Sequence, residues 1–360
     1  MYQPDKATLD NLVAEHYISR AKHPEANLWI YNYTPKTVYK RYWTPDTRAC
    51  RGLILDADYN VVARPFEKFF NIGEEQYVQL PDEPCHVYEK LDGSLGILYH
   101  DGKDWAIATR GSFNSEQAIA ATRLLHSDAY RVDLGRLNPK DGMTYLFEII
   151  LPWNRIVVDY GDIEELRLIG IIETATGEEM SLLGMQWPSR ATYYGERRDL
   201  LELCQQDIPN AEGYVLLYQS GLRVKIKFDT YYKLHKLLTR ASTKVLWEWA
   251  QEGMNPRHVS SWYMAPEEFR DWATGIYEEI LEGYTDIEED YKRIFKNIIN
   301  DTQAPAKEDP TYRKWFATRA TQYGYCSILF NMLDERDYSS IIWKAVKPVH
   351  SYAFKVVDTE

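Results

Sequence analysis

Three things are scarce in this sequence: long apolar runs, paired cysteines and surplus positive charge. No apolar run approaches the roughly 20 residues that a membrane-spanning helix needs. The opening stretch, MYQPDKATLDNLVAEHY, carries charges where a secretory signal peptide has an apolar core. We therefore predict a protein that neither spans a membrane nor carries a secretion signal.

Cysteine is both rare and scattered. Cys50, Cys85, Cys204 and Cys326 include no CxxC pair, and the 8 histidines show no spacing typical of metal ligands. This distribution argues against a zinc site and against a disulfide framework, and it suits a reducing compartment. We expect a cytoplasmic protein.

Positive charge is in the minority, since 42 Lys and Arg stand against 54 Asp and Glu, giving a net charge of −12. Any binding of nucleic acid would therefore depend on local basic patches. One candidate lies in residues 31–51, where cations alternate with aromatic side chains that could stack on bases. The alternative is a solvated strand face with aromatic cross-strand packing. The residues concerned are Lys36, Lys40, Arg41, Arg48, Arg51, Tyr39, Tyr42 and Trp43.

A chain of 360 residues suggests two domains, or one large domain with an attachment. Up to about residue 235 the pattern is mostly β, with hairpins such as GILYHDGKDWAIATRG, whose Asp101-Gly102 pair marks a turn. Helical stretches intervene, such as SEQAIAATRLLHS, which Ser115 can cap. We predict an α+β domain of antiparallel sheets with helices over residues 1–235. Farther on, Pro266 and two glutamates are typical of a helix start, and apolar residues then recur every three or four positions. We predict an all-helical domain over residues 236–360.

Cations and carboxylates recur at the ends of the predicted strands. Lys225 and Lys227 are two positions apart on one strand, so both point to one face. Two lysines beside an apolar interior are costly unless an anion lies between them, and a triphosphate is such an anion. A lysine is a nucleophile only when deprotonated, so its pKa would have to fall from about 10.4 through nearby cations and partial burial. The other members of this set are Arg51, Lys68, Lys90, Asp92, Arg110, Glu148 and Glu212.

Five short stretches follow an order that is typical of one superfamily: KLDGS at 90–94, RGS at 110–112, LFEI at 146–149, EGYV at 212–215 and KIK at 225–227. KLDGS resembles the KxDG motif of covalent nucleotidyltransferases, which include DNA ligases, RNA ligases and mRNA capping enzymes. KxDG alone is a weak signal, whereas its conjunction with EGYV and KIK is specific. Several longer segments resemble the phage RNA ligase 1 family, which repairs broken tRNA. These segments, between Tyr31 and Tyr232, are CRGLIL, RPFEKFFN, GSFNSEQA, FEIILPWNRIV and KIKFDTYY.

The resemblance implies a role for each matching position. Lys90 matches the lysine that becomes adenylylated through a phosphoamide bond. Arg110 stands where some relatives carry lysine, which would permit a bidentate contact. Glu148 and Glu212 match carboxylates that act at the metal, and Tyr231 matches a position linked to the joining step. The implied ATP-binding residues are Tyr31, Arg51, Lys68, Phe70, Arg110, Phe147, Glu148, Lys225 and Lys227.

The resemblance also implies a fold and a reaction. The fold would be an ATP-grasp-like nucleotidyltransferase domain followed by the helical domain, which would govern the choice of RNA. ATP would be the co-substrate and Mg²⁺ or Mn²⁺ the metal. The partner would be RNA with 5′-phosphate and 3′-OH ends, cleaved tRNA being one candidate, with no obligate protein partner. The location would be the host cytoplasm if the gene is carried by a phage. A candidate RNA-contacting patch comprises Trp343, Lys344, Lys347, Tyr352, Phe354 and Lys355, with packing of the C-terminal segment as the alternative.

Two other functions stay open from the sequence alone. A DNA ligase or a capping guanylyltransferase could use the same first domain, but those relatives usually add an oligonucleotide-binding barrel where this chain is helical. A catalytically silent module that binds RNA ends is the third possibility. The presence of Lys90, Glu212, Lys225 and Lys227 together argues against it.

Overall fold

The computed structural model describes residues 2–74, 80–137, 141–182 and 187–354. The chain folds as two compact units, of which the first ends at Tyr232 and the second begins at Lys233. Helix α7 (Asp229–Arg240) spans this boundary. Among the helices of the described part, none is long and apolar enough to cross a membrane.

The described residues of the first unit form 14 strands in three sheets. The first sheet has the order β1-β2-β3-β4, the second β11-β10-β9-β7-β8 and the third β12-β6-β13-β14-β5. The strands are β1 Ile18–Lys22, β2 Leu28–Tyr33, β3 Arg51–Asp56, β4 Val61–Ala63, β5 Phe70–Asn71, β6 Cys85–Lys90, β7 Ser94–His100, β8 Trp105–Ala108, β9 Met143–Ile150, β10 Glu165–Glu173, β11 Glu179–Met180, β12 Tyr193–Arg197, β13 Gly213–Tyr218 and β14 Arg223–Lys227.

Helices of the first unit before α7 are short; the first precedes β1, and the others lie between strands along the chain. Ser115 caps the longest helix before α7 by accepting a hydrogen bond from the Ala118 N–H, as the sequence predicts. Buried residues of that helix join the core beneath the second sheet. These helices are α1 Lys6–Ala14, α2 Pro35–Lys40, α3 Pro45–Ala49, α4 Glu116–Leu125, α5 Arg131–Leu134 and α6 Leu201–Gln205.

The strand pairs are antiparallel with one exception. The β7–β8 hairpin turns at Asp101 and Gly102, and β13 pairs antiparallel with β14. The exception is β5, which runs parallel to β14 and pairs Asn71 with Lys225. The segment after β4 therefore leaves the first sheet and joins the third. The predicted α+β class with antiparallel sheets is confirmed.

In its described residues, the second unit consists of helices and one isolated β-bridge. Its longest helix follows Pro266 and has Glu267 and Glu268 in its first turn, where carboxylates oppose the positive end of the helix dipole. The apolar stripe of that helix packs on the three helices that follow it. The helices are α8 Thr243–Gln251, α9 Glu267–Ile299, α10 Tyr312–Ala320, α11 Cys326–Leu333 and α12 Ser339–Ala345.

Candidate active site

The centre of the site is one carboxylate that holds two lysines. Glu212 Oε1 lies 2.7 Å from Lys90 Nζ and 3.1 Å from Lys227 Nζ. The Glu212 side chain is 2% exposed, so both ion pairs are largely shielded from water. The register of the third sheet explains why both lysines reach Glu212, because the next residue, Gly213, is paired with Lys90 on one side and with Lys227 on the other.

Gly213, in the EGYV stretch, permits a close approach of two strands beside these lysines. Its φ is +149°, and a Cβ at this position would lie 1.9 Å from the backbone oxygen of Ile226. Any larger residue would push β13 away from β14 at the level of Lys227. The glycine therefore contributes to the geometry that brings Lys227 to Glu212.

Asp92, two residues after Lys90, fixes the turn that follows the lysine. Its Oδ2 accepts hydrogen bonds from the N–H groups of Val157 and Val158, both at 2.7 Å, and its Oδ1 accepts one from the Tyr231 hydroxyl at 2.7 Å. The Asp92 N–H in turn donates to the Tyr160 hydroxyl at 2.9 Å. Asp92 is 4% exposed, so these donors offset the cost of burying its carboxylate. Asp92 therefore positions the turn that carries Lys90.

Glu148 faces the same turn from the neighbouring sheet. Its Oε1 accepts a hydrogen bond from the Gly93 N–H at 2.9 Å. A Cβ at Gly93 would lie 2.5 Å from the Ile149 backbone oxygen, so β9 and the KLDGS turn are in close contact here. A carboxylate thus lies beside the backbone of the turn that follows Lys90.

A second group of cations surrounds the ring of Phe69. The Arg51 guanidinium and Lys225 Nζ each lie 5.6 Å from the ring centroid. Arg51 opens β3 just before a bulge at Gly52, whose φ is +101° and where a Cβ would lie 2.3 Å from a methyl group of Ile97. Bulges of this kind redirect neighbouring side chains. Arg51 and Lys225, from two different sheets, therefore reach one ring.

Lys68 lies in an aromatic cage, a term used here for the rings of Tyr33, Trp43 and Phe70. Its Nζ is 5.6 Å from the first two ring centroids and 5.7 Å from the third. Arg110 shares this environment, since its guanidinium lies 5.2 Å from the Tyr33 ring and donates to the Tyr33 hydroxyl at 3.2 Å. Aromatic faces stabilise cations that are partly withdrawn from water. The cage therefore holds basic groups at the edge of the first sheet.

A family model for RNA ligase matches residues 49–234, more than half of the chain. The chain belongs to the RNA ligase family. Every predicted site residue except Tyr31 lies within the matched stretch. The predicted membership of the phage-type RNA ligase 1 family is confirmed, and with it the prediction that the chain is an RNA ligase.

Relatives of this RNA ligase include three viral proteins. An RNA ligase of Rhodothermus phage RM378 is 25% identical over 79% of this chain and 81% of the relative. RNA ligase 1 of bacteriophage TS2126 is 34% identical over 32% of each chain. A putative bifunctional polynucleotide kinase/RNA ligase of Autographa californica nuclear polyhedrosis virus is 27% identical over 64% of this chain and 37% of the relative. The alignment thus spans most of the first relative and about a third of the other two.

Solved structures resemble this RNA ligase only distantly. A Naegleria gruberi RNA ligase mutant with ATP and Mn aligns with a TM-score of 0.34 and 15% identity, over 43% of this chain and 52% of the other. A putative ATP-dependent DNA ligase from Aquifex aeolicus aligns with a TM-score of 0.42 and 10% identity, over 82% and 81% of the two chains. Similarities this low carry no argument about the ligand of this chain.

Two predicted ATP-binding residues, Tyr31 and Phe147, lie in the hydrophobic core of the first unit, and their role in ATP binding stays a prediction. Tyr31 is 2% exposed and packs with Leu9 and Leu53 beneath the first sheet. Phe147 is fully buried and packs against Trp187 at 4.9 Å. The physical reason for Phe147 is strand alternation, because Glu148 points toward the KLDGS turn and its neighbour must point away.

Sequence reasoning missed three contributors to the site, Tyr33, Phe69 and Tyr160, and it named Trp43 only as a candidate for stacking on nucleic-acid bases. Tyr33 and Trp43 lie in the basic aromatic stretch of residues 31–51, and Phe69 lies in RPFEKFFN, so their composition was a usable signal. No comparable signal marks Tyr160, because its partner Asp92 is 68 residues away along the chain. Burial raises the pKa of Tyr160 above its ordinary value, which keeps its hydroxyl protonated.

The carboxylates of the site fit a metal that arrives with a nucleotide. Across the described ranges, no group of three or more His, Cys, Asp or Glu side chains forms a ready-made metal site. Mg²⁺ is commonly held by one or two carboxylates together with phosphate oxygens and waters. Glu148 and Glu212, on either side of the KLDGS turn, supply such carboxylates.

Of the patch suggested in the second unit, Trp343 and Phe354 are packed, whereas Lys344, Lys347 and Tyr352 are exposed. Trp343 packs against Tyr284 at 4.4 Å, and Phe354 packs against Phe269 at 5.0 Å. Lys355 lies outside the described residues. The alternative reading, packing of the C-terminal segment, therefore applies to these two rings.

Proposed function

We propose that this chain is an ATP-dependent RNA ligase whose covalent intermediate forms on Lys90. The observation that carries the proposal is the pairing of Lys90 and Lys227 on the buried Glu212 carboxylate. In the first step Lys90 Nζ attacks the α-phosphorus of ATP, a phosphoamide bond forms and pyrophosphate leaves. In the second step the AMP passes to the 5′-phosphate of an RNA. In the third a 3′-OH attacks this activated end, and AMP leaves.

The ion pairs on Glu212 suggest how the site responds to a nucleotide. Without a nucleotide, Glu212 compensates the charges of Lys90 and Lys227. Phosphate oxygens can take over the compensation of Lys227, and Glu212 and Glu148 would then be the residues that hold a metal ion. The metal supplies neutralisation of the charge that develops on the phosphates. Lys90 must lose a proton before it attacks, and loss of its ion pair with Glu212 would favour this, because a neighbouring carboxylate stabilises the charged form of a lysine.

The remaining cations are proposed to bind and orient the triphosphate. Lys225 and Lys227 project from one face of β14, and Arg51 and Lys225 share the ring of Phe69. Lys68 and Arg110 extend this positive region to the aromatic cage. Phosphoryl transfer of this kind depends mainly on positioning and charge neutralisation, which such a set can supply.

Tyr231 is proposed to act in the joining step through the backbone, not by touching the reacting atoms. Its hydroxyl donates to Asp92, which holds the turn after Lys90. Phe70, predicted to contact ATP, is 4% exposed and forms one wall of the aromatic cage, so its proposed role is to position Lys68. Both are therefore positioning residues.

The division of labour between the two parts of the chain is also a proposal. Residues 1–235 would carry out adenylylation, and residues 236–360 would govern which RNA is joined. The RNA would have 5′-phosphate and 3′-OH ends, and a cleaved tRNA is one candidate. The four cysteines are free thiols, which supports a reducing compartment such as the cytoplasm, or the host cytoplasm for a phage protein.

A two-part experiment tests this function against its alternatives. The protein is first incubated with ATP or GTP labelled on the α-phosphate, and protein-bound label is measured. We expect label from ATP, whereas preference for GTP would favour a capping enzyme and no label would favour a silent RNA-binding module. Joining is then assayed on single-stranded RNA, a nicked DNA duplex and a cleaved anticodon stem-loop. Sealing of the DNA nick alone would overturn the assignment to RNA.

A further inference from the structure

A cavity of about 290 Å³ in the first unit is lined by three arginines that the proposed reaction does not use. It lies at the opposite end of β14 from Lys227, beside Arg223, which is four residues earlier on the strand. At about 3.3 Å per residue this separation along the strand is about 13 Å. The charged residues that line it are Arg48, Arg64, Glu67, Lys68, Glu179 and Arg223.

Two arginines at this cavity have buried nitrogen atoms without a hydrogen-bond partner. Arg64 is 7% exposed, and two of its nitrogens are satisfied by the backbone oxygens of Thr174 at 2.9 Å and Tyr2 at 3.1 Å. Its Nη2 is buried and has no partner in the described part of the chain, and the same holds for Nε of Arg48. A buried charged donor without an acceptor is unfavourable, so two such donors in one cavity indicate a missing acceptor.

The charges lining the cavity leave it positive. Arg223 is paired with Glu179, and Arg48 Nη2 lies 3.5 Å from Glu67. The ammonium of Lys68 belongs to the aromatic cage, so three arginines against two carboxylates leave a surplus of one positive charge. Burial lowers the pKa of Arg64 below its ordinary value, but a guanidinium remains charged at neutral pH.

We propose that this cavity binds a small phosphate-type oxyanion through Arg48 and Arg64. Guanidinium groups present planar sets of donors that match phosphate oxygens. The volume of about 290 Å³ would hold on the order of ten waters, which is ample for phosphate or pyrophosphate. The anion can be free inorganic phosphate or the pyrophosphate released when Lys90 is adenylylated. The second source rests on the proposed function, whereas the site itself does not.

Calorimetric titration of the full-length protein with sodium phosphate and with sodium pyrophosphate, at matched ionic strength and without ATP or RNA, tests the proposal. Arg48→Met removes one unsatisfied donor at a half-buried position and should weaken binding roughly tenfold or more. Glu67→Gln removes an opposing carboxylate and should tighten binding a few-fold. Lys227→Ala distinguishes this cavity from the Glu212 site and should leave binding at the cavity unchanged. Arg20→Ala, which alters an exposed arginine paired with Asp10, is the matched control.

Each outcome of the titrations decides something. Tighter binding of pyrophosphate than of phosphate identifies the reaction product as the anion, and comparable binding identifies free phosphate. The proposal is overturned if neither anion binds at millimolar concentration, or if Arg48→Met and Glu67→Gln bind like the unmodified protein. It is also overturned if Lys227→Ala abolishes the binding. Label transfer to Lys90 is measured separately, so failure of the proposed function and failure of this site are distinguishable.

Discussion

Replacing Tyr231 by phenylalanine removes a single oxygen atom from the support of the KLDGS turn. The hydroxyl donates to Asp92 Oδ1 at 2.7 Å, and Tyr231 is 3% exposed. The ring of Tyr231 also lies 5.1 Å from Lys227 Nζ, a contact that phenylalanine keeps. The variant therefore tests the hydrogen bond and leaves the packing of the ring in place.

The expected loss follows from the burial and charge of the acceptor. The N–H groups of Val157 and Val158 bond the other oxygen, Oδ2, so Oδ1 loses the Tyr231 donor. A hydrogen bond to a charged group contributes about 1.5–3 kcal/mol to the free energy of unfolding. A loss of about 2 kcal/mol would lower the Tm of a unit of this size by about 4–8 °C. Because the turn carries Lys90, we expect slower adenylylation and slower joining as well.

The matched control is Tyr99→Phe, which removes the same atom from another buried tyrosine of the first unit. Tyr99 is 2% exposed, and its hydroxyl bonds His23 Nε2 at 3.0 Å, away from the KLDGS turn. We expect a loss of about 1 kcal/mol there, as is usual for a bond without a carboxylate, and no change in adenylylation. Thermal unfolding and single-turnover label transfer measure the two effects. Equal adenylylation rates for Tyr231→Phe and the unmodified protein would refute the reasoning.

Three further predictions concern other parts of the chain. Alanine at Lys225 or Lys227 should reduce adenylylation by at least tenfold, because each variant removes a cation from the nucleotide face. Arginine at either position should not restore the rate. Normal rates of enzyme–AMP formation in both alanine variants would show that the two lysines have only a structural role. Ending the chain after Arg240, the last residue of α7, should preserve adenylylation. The fragment should differ from the full chain in its preference between a cleaved stem-loop and a plain oligonucleotide. Loss of enzyme–AMP formation in a folded fragment would contradict this prediction. Hydrogen bonds from Arg313 hold the pKa of Asp334 below its ordinary value, so the pair stabilises the second unit above about pH 4, and this stabilisation is lost on acidification. Asp334→Asn should therefore reduce the loss in free energy of unfolding that acidification causes. An unchanged pH dependence would contradict this prediction.

Local patterns predicted those parts of the fold that local chemistry determines. Asp101-Gly102 turns the β7–β8 hairpin as expected, and Ser115 caps α4. The parallel pairing of β5 could not be foreseen, because a strand of two residues, Phe70–Asn71, is too short to show alternation. Short strands of this kind are specified by their partners and not by their own sequence.

Motif order predicted the chemistry of the site better than its side-chain orientations. The EGYV and KIK stretches do meet Lys90, because Gly213 is in register with both lysines. Phe147 was assigned to the nucleotide pocket with Glu148, although adjacent strand residues face opposite ways. The hydrogen-bond partners of Asp92 could not be predicted from the sequence for a different reason. Tyr231 is 139 residues away, and only the folded chain brings the two side chains together.

The most direct test of the central claim is transfer of α-phosphate label from ATP to the protein in Lys90→Ala. The matched control is Lys103→Ala, which alters an exposed lysine of the β7–β8 turn that forms an ion pair with Glu25. Circular dichroism establishes that both variants are folded. The account predicts no label in Lys90→Ala and full labelling in Lys103→Ala, and undiminished labelling of folded Lys90→Ala would contradict it.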